Sequence, residues 1–244
     1  MTAEARRVAL VTGAAGDIGA ACAIALEASG LRVLRLDRAI PPGQAADWFA
    51  CDLADPVAVH AAIAAVTADL GRLDVVVNVA GINHQATVQD IRVSDWTRML
   101  DVNAGGMFAV LQACQPLLAQ GQNAAVVNMS SVSGHVASTD YPAYVATKAA
   151  VEGLTQALAL EWALLGIRVN AVAPGWVEAG FTRAALATAA DPDALQEAAR
   201  RAHLLGRMAQ ASEVAEAVAF LASPASSGTN GQVLFVDGGL MRVH

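Results

Sequence analysis

Tyr144 and Lys148 stand four residues apart inside a stretch, 141–165, that reads as helix. Residues at that spacing share one helix face. The composition makes the pair conspicuous: Lys148 is the single lysine among 15 basic residues, and Tyr144 is one of only two tyrosines, with Tyr141. Arginine spreads its charge over a wide planar fork, whereas lysine presents a compact ammonium. A free tyrosine titrates near pKa ~10, too high for a base at neutral pH. An adjacent ammonium favours the phenolate, and bringing the group to neutral pH requires roughly 4 kcal/mol of differential stabilisation. Tyr144 could then take a proton from an alcohol as hydride leaves the carbon. The alternative is a plain surface pair. Ser130-Ser131 follows the strand-like run 124–129. Carboxyl ends of parallel strands are where open α/β sheets place ligands, so a hydroxyl there could hold a substrate oxygen. A helix cap or a hydroxyl-closed turn is the other reading.

A second constellation lies near the start of the chain. The strand-like run 8–12 leads into Thr12-Gly13-Ala14-Ala15-Gly16-Asp17-Ile18-Gly19 and then a helical stretch. Glycines between a strand and a helix permit a tight turn, close approach of a pyrophosphate and close helix–strand packing, with the helix N-terminus facing the phosphates. Asp37 ends the next strand, 18 residues after Gly19. A carboxylate there accepts from both hydroxyls of an adenosine ribose and repels a 2′-phosphate. Arg38 softens that repulsion, but the glycine turn carries no basic residue. The expected cofactor is therefore NAD rather than NADP.

These residues need a scaffold of alternating strands and helices. Seven apolar runs read as strands: 8–12, 31–36, 48–51, 73–78, 124–129, 167–173 and 232–236. Helical stretches lie at 18–29, 56–70, 93–120, 141–165, 194–204 and 212–222. Strands apolar on both faces, alternating with helices, imply a doubly wound α/β fold with a seven-stranded parallel sheet covered on both sides. No linker and no internal repeat divides the chain, so residues 1–244 read as one domain. The Ala-rich segment 176–208 interrupts the alternation. An excursion of that length is a candidate substrate lid, the alternative being a packed helical insert.

With these motifs in order, the chain resembles the small, single-domain short-chain dehydrogenases/reductases from about Arg6 to Gly239. The matching motifs are TGAAGDIG at 12–19, CDL at 51–53, NVAG at 78–81, Asn103, Ser131 placed 13 residues before Tyr144, YVATK at 144–148, PG at 174–175 and VDGG at 236–239. The resemblance implies a Rossmann fold. It also implies that Tyr144 is the general acid/base, that Lys148 lowers its pKa and binds the nicotinamide ribose, and that Ser131 orients the substrate oxygen. By the same resemblance Asn103 holds a water in a proton relay, and Asp52 and Leu53 flank the adenine. Asn78, Ala80 and Gly81 line the cofactor cleft, Pro174 and Gly175 belong to the same cleft, and the Val177 backbone meets the carboxamide. Two positions depart from the family pattern. Val79 replaces a second asparagine, and Ala179 stands where a threonine is common, unless Thr182 supplies that hydroxyl after a shift.

Candidate substrate-wall residues are His84, Ser131, Ser133, His135, Tyr141, Trp176 and Phe181. Their mixture suits a polyol, a diol or a moderately apolar secondary alcohol. The leading expectation is an NAD-dependent dehydrogenase of such a substrate. The alternatives are an NADPH-dependent reductase of carrier-bound or CoA-bound 3-oxoacyl groups and a non-catalytic dinucleotide-binding protein. Over 244 residues, 55% are hydrophobic and 15% charged, which excludes a disordered chain. A net charge of −7 argues against a nucleic-acid partner. No apolar run reaches the roughly 18 residues of a membrane span. Met1–Glu4 and the short run 8–11 do not make a secretory signal, and a cytoplasmic location is expected. The separated Cys22, Cys51 and Cys114 and the scattered His60, His84, His135, His203 and His244 suggest neither disulfides nor a metal site. Helices apolar on more than one face must be covered, and the resemblance implies a homotetramer, with a dimer next.

Overall fold

A computed structural model describes residues 6–43 and 46–242; the polar start at 1–4 and His244 lie outside the described residues. The strands are β1 (Val8–Thr12), β2 (Arg32–Asp37), β3 (Trp48–Ala50), β4 (Val75–Asn78), β5 (Ala125–Met129), β6 (Arg168–Pro174) and β7 (Val233–Val236). They form one seven-stranded sheet in the order β3-β2-β1-β4-β5-β6-β7. Every pairing is parallel. The order reverses between β1 and β4, and such a reversal opens a crevice beyond the carboxyl ends of the two strands.

Side chains alternate across the strands, so each face of the sheet builds its own core. Leu10, Leu34, Leu36, Val76 and Val126 pack beneath α2 (Pro56–Thr67), α4 (Met107–Leu118) and α5 (Pro142–Glu161). Ala9, Val11, Val33, Val77 and Val127 face α1 (Asp17–Ala28) and α8 (Ala211–Ala222), which also pack on each other. This two-sided burial explains the continuous Val-rich runs.

The helix expected over 93–120 is interrupted. Helix α3 (Val93–Leu100) widens into a π-turn, Asp101–Gly106, before α4 begins. Gly106 passes close to the 53 position: a Cβ there would lie 2.5 Å from the Leu53 carbonyl oxygen. The widened turn carries Asn103 inward, where it is buried. Short π-segments inside helices recur at functional sites.

The segment 176–208 contains α6 (Gly180–Thr188) and α7 (Pro192–Arg201). Its two ends are pinned together: Ala209 donates to the Trp176 carbonyl at 2.9 Å, and Glu178 donates to the Ala209 carbonyl at 2.9 Å. Buried His203 completes the closure. Its Nε2 accepts from the Trp176 N–H at 3.2 Å, so Nδ1 carries the proton that bonds the Ala199 carbonyl at 2.7 Å.

Below the crevice a polar chain ties the sheet to α5. Asn78 Nδ2 donates to Asn128 Oδ1 at 2.9 Å, and Asn128 Nδ2 donates to Thr155 Oγ1 at 3.0 Å. All three residues are buried. Asn128→Ala removes the acceptor from Asn78 and leaves that amide buried without a partner, at a cost of about 1–3 kcal/mol. Urea unfolding is expected to show a loss in that range, and an unchanged midpoint would contradict this account of the ladder.

Candidate active site

The crevice is a cleft of about 830 Å³, within the usual range for ligand pockets. Its floor begins at the turn after β1. Gly13 has φ +66, and a Cβ there would fall 2.7 Å from the Ala80 nitrogen and Cα. A Cβ on Gly19 would fall 2.1 Å from the Gly13 carbonyl oxygen. Both positions therefore require glycine, one for its backbone conformation and its neighbour, the other for helix–turn contact. Helix α1 starts at Asp17 behind Gly16, which supplies no side-chain cap and so leaves the first N–H groups for a ligand. Gly16, Asp17 and Ile18 line the cleft beside them.

Asp37 closes β2 at the cleft wall. Its carboxylate accepts from the Ala15 N–H at 2.9 Å and the Arg38 N–H at 2.7 Å. It is thus held between the glycine turn and the end of β2. Arg38, Asp52, Leu53, Ala80 and Gly81 share this wall. Asp52 is paired with Arg98 of α3 at 2.8 Å, and that hydrogen bond, helped by the Ala54 N–H, holds its carboxyl below the usual carboxylate range.

The candidate catalytic groups meet at the carboxyl end of β5. Tyr144 and Lys148 lie on one face of α5, with the Lys148 Nζ 5.5 Å from the centre of the tyrosine ring. Lys148 is buried and donates to the Met129 carbonyl at 2.7 Å. Ser131 begins the short turn Val132–Gly134, accepts from the Ser133 N–H at 3.2 Å, and shares a side-chain hydrogen bond with Tyr144. In the protein alone, burial dominates both titrations. It pushes the Tyr144 phenol up to about 12, against the opposing Ser131 hydrogen bond, and Tyr141 adds to the rise. It pulls the Lys148 ammonium down to about 8, with Glu152 opposing.

Asn103 stands behind this pair, outside the cleft lining. Its Oδ1 accepts from the Ile82 N–H at 2.7 Å, and its Nδ2 donates to the Ile82 carbonyl at 2.9 Å and to Thr147 Oγ1 at 3.1 Å. Asn78 also lies outside the lining, beneath it, on Asn128. Ser133, Tyr141, Trp176 and Phe181 do line the cleft, with Pro174, Gly175 and Val177. The Phe181 ring meets Tyr144 edge-on, 6.3 Å between centroids. His84 and His135 are not in the wall. The chain beyond Ile82 carries exposed His84 out toward Asp95, and His135 turns behind the Ser131 loop to Glu152.

Several wall residues carry no local signal in the sequence. Arg98 reaches the cleft from α3, and Leu240 reaches it from the turn after β7. Arg183 of α6 pairs with Asp17 across the cleft mouth. Thr182 is buried in the wall three residues after Ala179, a hydroxyl close to the position where the family pattern has a threonine and this chain has alanine. Buried Cys22 and Cys114 take no part; burial pushes both thiols up to about 12. Among the described residues, no helix is long and apolar enough to cross a membrane.

Sheet order, glycine turn and the Ser–Tyr–Lys set together define a dinucleotide-dependent oxidoreductase of the Rossmann class. Comparison with known proteins agrees. A family model described as enoyl-(acyl carrier protein) reductase matches residues 13–241, and the chain belongs to this family of short-chain dehydrogenases/reductases. It is 37% identical to D-threitol dehydrogenase of Mycolicibacterium smegmatis, over 96% of this chain and 92% of that protein. It is 35% identical to 3-oxoacyl-(acyl-carrier-protein) reductase FabG of Thermotoga maritima, over 96% and 98%. The solved structure of Thermoplasma acidophilum aldohexose dehydrogenase is similar, with a TM-score of 0.92 at 33% identity, covering 97% of this chain and 94% of that one.

The folded chain releases the Lys148 proton near pH 8, whereas the unfolded chain keeps it to about 10.5. Between those values the unfolded state binds more protons, so this residue makes stability rise with pH. Lys148→Met lacks that dependence. Denaturant unfolding from pH 7 to 10 is expected to show the parent gaining stability relative to the variant, and parallel curves would contradict the burial account.

Proposed function

We propose that this chain is an NAD-dependent oxidoreductase that interconverts a small secondary alcohol or polyol and its ketone. The observation that carries the reading is the meeting of Ser131, Tyr144 and Lys148 at the carboxyl end of β5, inside the cleft that begins at the glycine turn. The cradle at Gly13 and Gly19 and the uncapped start of α1 fit a dinucleotide diphosphate. Asp37 suits the two hydroxyls of an unphosphorylated ribose. Lys148 and Tyr144 hold the second ribose, Thr182 and the Val177 backbone face the carboxamide, and Asp52 and Leu53 flank the adenine. When bound, the oxidised nicotinamide accepts hydride and brings positive charge to the site.

Ser131 and Tyr144 then hold the substrate oxygen between their hydroxyls. Tyr144 is the general acid/base, and its proton leaves through the Lys148 side of the cleft, where Asn103 sits. Ser133, Tyr141, Trp176 and Phe181 give the pocket polar and apolar walls, which suits a polyol. The relative named for D-threitol supports the same substrate class. A 3-oxoacyl reductase is the second reading; the carrier-protein reductase relative and Arg38 in the cleft wall favour it.

The active form is a cytoplasmic homotetramer. Phe108 on α4 is 47% exposed, and Leu160 at the end of α5 and Leu164 just beyond it are 82% and 100% exposed, apolar surface that a second subunit would cover. Light scattering is expected to give a tetramer, or a dimer; a monomer contradicts this.

Assays with NAD⁺ and NADP⁺ against secondary alcohols, diols, polyols and 3-hydroxyacyl thioesters test the reading. Turnover is expected for alcohols or polyols with NAD⁺, and Tyr144→Phe is expected to lower kcat by about 10²–10⁴-fold while NADH still binds. NADH is expected to bind more tightly than NADPH, with the margin narrowed in Asp37→Ser. Activity confined to thioesters with NADP⁺ would favour the second reading, and near-normal turnover in Tyr144→Phe would overturn the mechanism.

A further inference from the structure

The catalytic face of α5 continues one turn beyond Lys148 to Glu152. This carboxylate is 6% exposed, yet nothing in the mechanism above uses it. Burying a carboxylate is costly unless it is well bonded, and Glu152 is. Its Oε1 accepts from Ser130 Oγ at 2.6 Å, and its Oε2 lies 2.7 Å from His135 Nε2. A Cβ on Gly134 would fall 2.5 Å from Oε1. Residues 130, 134 and 135 therefore wrap around one carboxylate, and Ser131 lies between the points of attachment. The His135 ring is backed by Phe235 of β7, 4.9 Å between centroids.

We propose that Glu152 is a positioning residue for the reaction: its carboxylate fastens the Ser131 loop to the helix that carries Tyr144 and Lys148, and so fixes the gap in which the substrate oxygen sits. The proposal rests on the dehydrogenase reading for its catalytic consequence, and on the hydrogen bonds for its structural one. The geometry explains why the loop closes on a carboxylate rather than an apolar side chain. Two hydroxyl-bearing residues in sequence give one hydroxyl to the substrate side and the other to the anchor. The titratable groups facing Glu152 are Lys148 on its own helix and His135 on the loop. The Glu152 charge favours the Lys148 ammonium, against burial.

Two measurements test this. Hydrogen exchange of amides 131–136 in the protein alone is expected to quicken in Glu152→Ala and Ser130→Ala, and to stay near the parent rate in Glu152→Gln, whose amide oxygen still accepts from Ser130. With the best alcohol substrate and NAD⁺, Glu152→Ala and Ser130→Ala are each expected to lower kcat by about tenfold with NADH affinity unchanged. The double variant is expected to lose no more than the weaker single one, as coupled partners do. Glu152→Gln recovers most of kcat, and the alkaline limb of its pH profile moves to lower pH because Lys148 has lost a negative neighbour. Unchanged exchange in folded Glu152→Ala or Ser130→Ala, or additive losses in the double variant, would overturn the proposal. Should Glu152→Ala fail to fold, Ser130→Ala breaks the same bond from the other side. Tyr144→Phe assayed in parallel separates the two ideas: its retention of turnover sinks the dehydrogenase reading, whereas its inactivity beside unaffected Glu152 variants sinks only this one.

Discussion

A half-buried phenol beside a buried ammonium on one face of α5 is the constraint on which the site depends. Both neutral forms are favoured by desolvation, which pushes Tyr144 up to about 12 and Lys148 down to about 8. Chemistry at neutral pH needs the opposite bias for the phenol. The protein supplies part of it through the Ser131 hydrogen bond. On the proposed reading, the remainder comes from positive charge brought close to the ring in the working complex. On the proposed reading, such a site keeps Tyr144 protonated until positive charge joins it in the cleft.

The scaffold serves this arrangement by bringing distant segments to one edge of the sheet. The reversal of strand order between β1 and β4 opens the cleft. The close approach of the glycine turn to Ala80 sets its floor. The 176–208 segment, pinned by Ala209 and His203, stands over it and lays Phe181 against Tyr144. The polar chain from Asn78 through Asn128 to Thr155 couples the strands to the catalytic helix, so the floor and the reactive face keep a fixed relation.

Local chemistry was legible in the sequence, and long-range geometry was not. The seven strands, the glycine turn, Asp37 and the Tyr144–Lys148 pair follow from apolar runs and short spacings, and the structure has each strand within two residues of its expected bounds. The break of 93–120 at Asp101–Gly106 was not legible. There Gly106 packs closely on Leu53, a residue from another part of the chain. His84 and His135 were expected in the substrate wall from their residue type alone, and the backbone turns both away. Arg98 and Leu240 reach the cleft, and Arg183 meets Asp17, only through tertiary packing, and the bonds around Glu152 join segments that share no sequence pattern.

The central claim is that Tyr144 ionises in the working range only when positive charge joins it in the cleft. The most direct measurement is a spectrophotometric titration of tyrosinate absorbance with and without NAD⁺, using Tyr144→Phe to subtract the Tyr141 signal. The account predicts a Tyr144 transition near pH 12 in the protein alone and a transition several pH units lower, toward neutrality, with NAD⁺ bound. The same high transition in both titrations would contradict it.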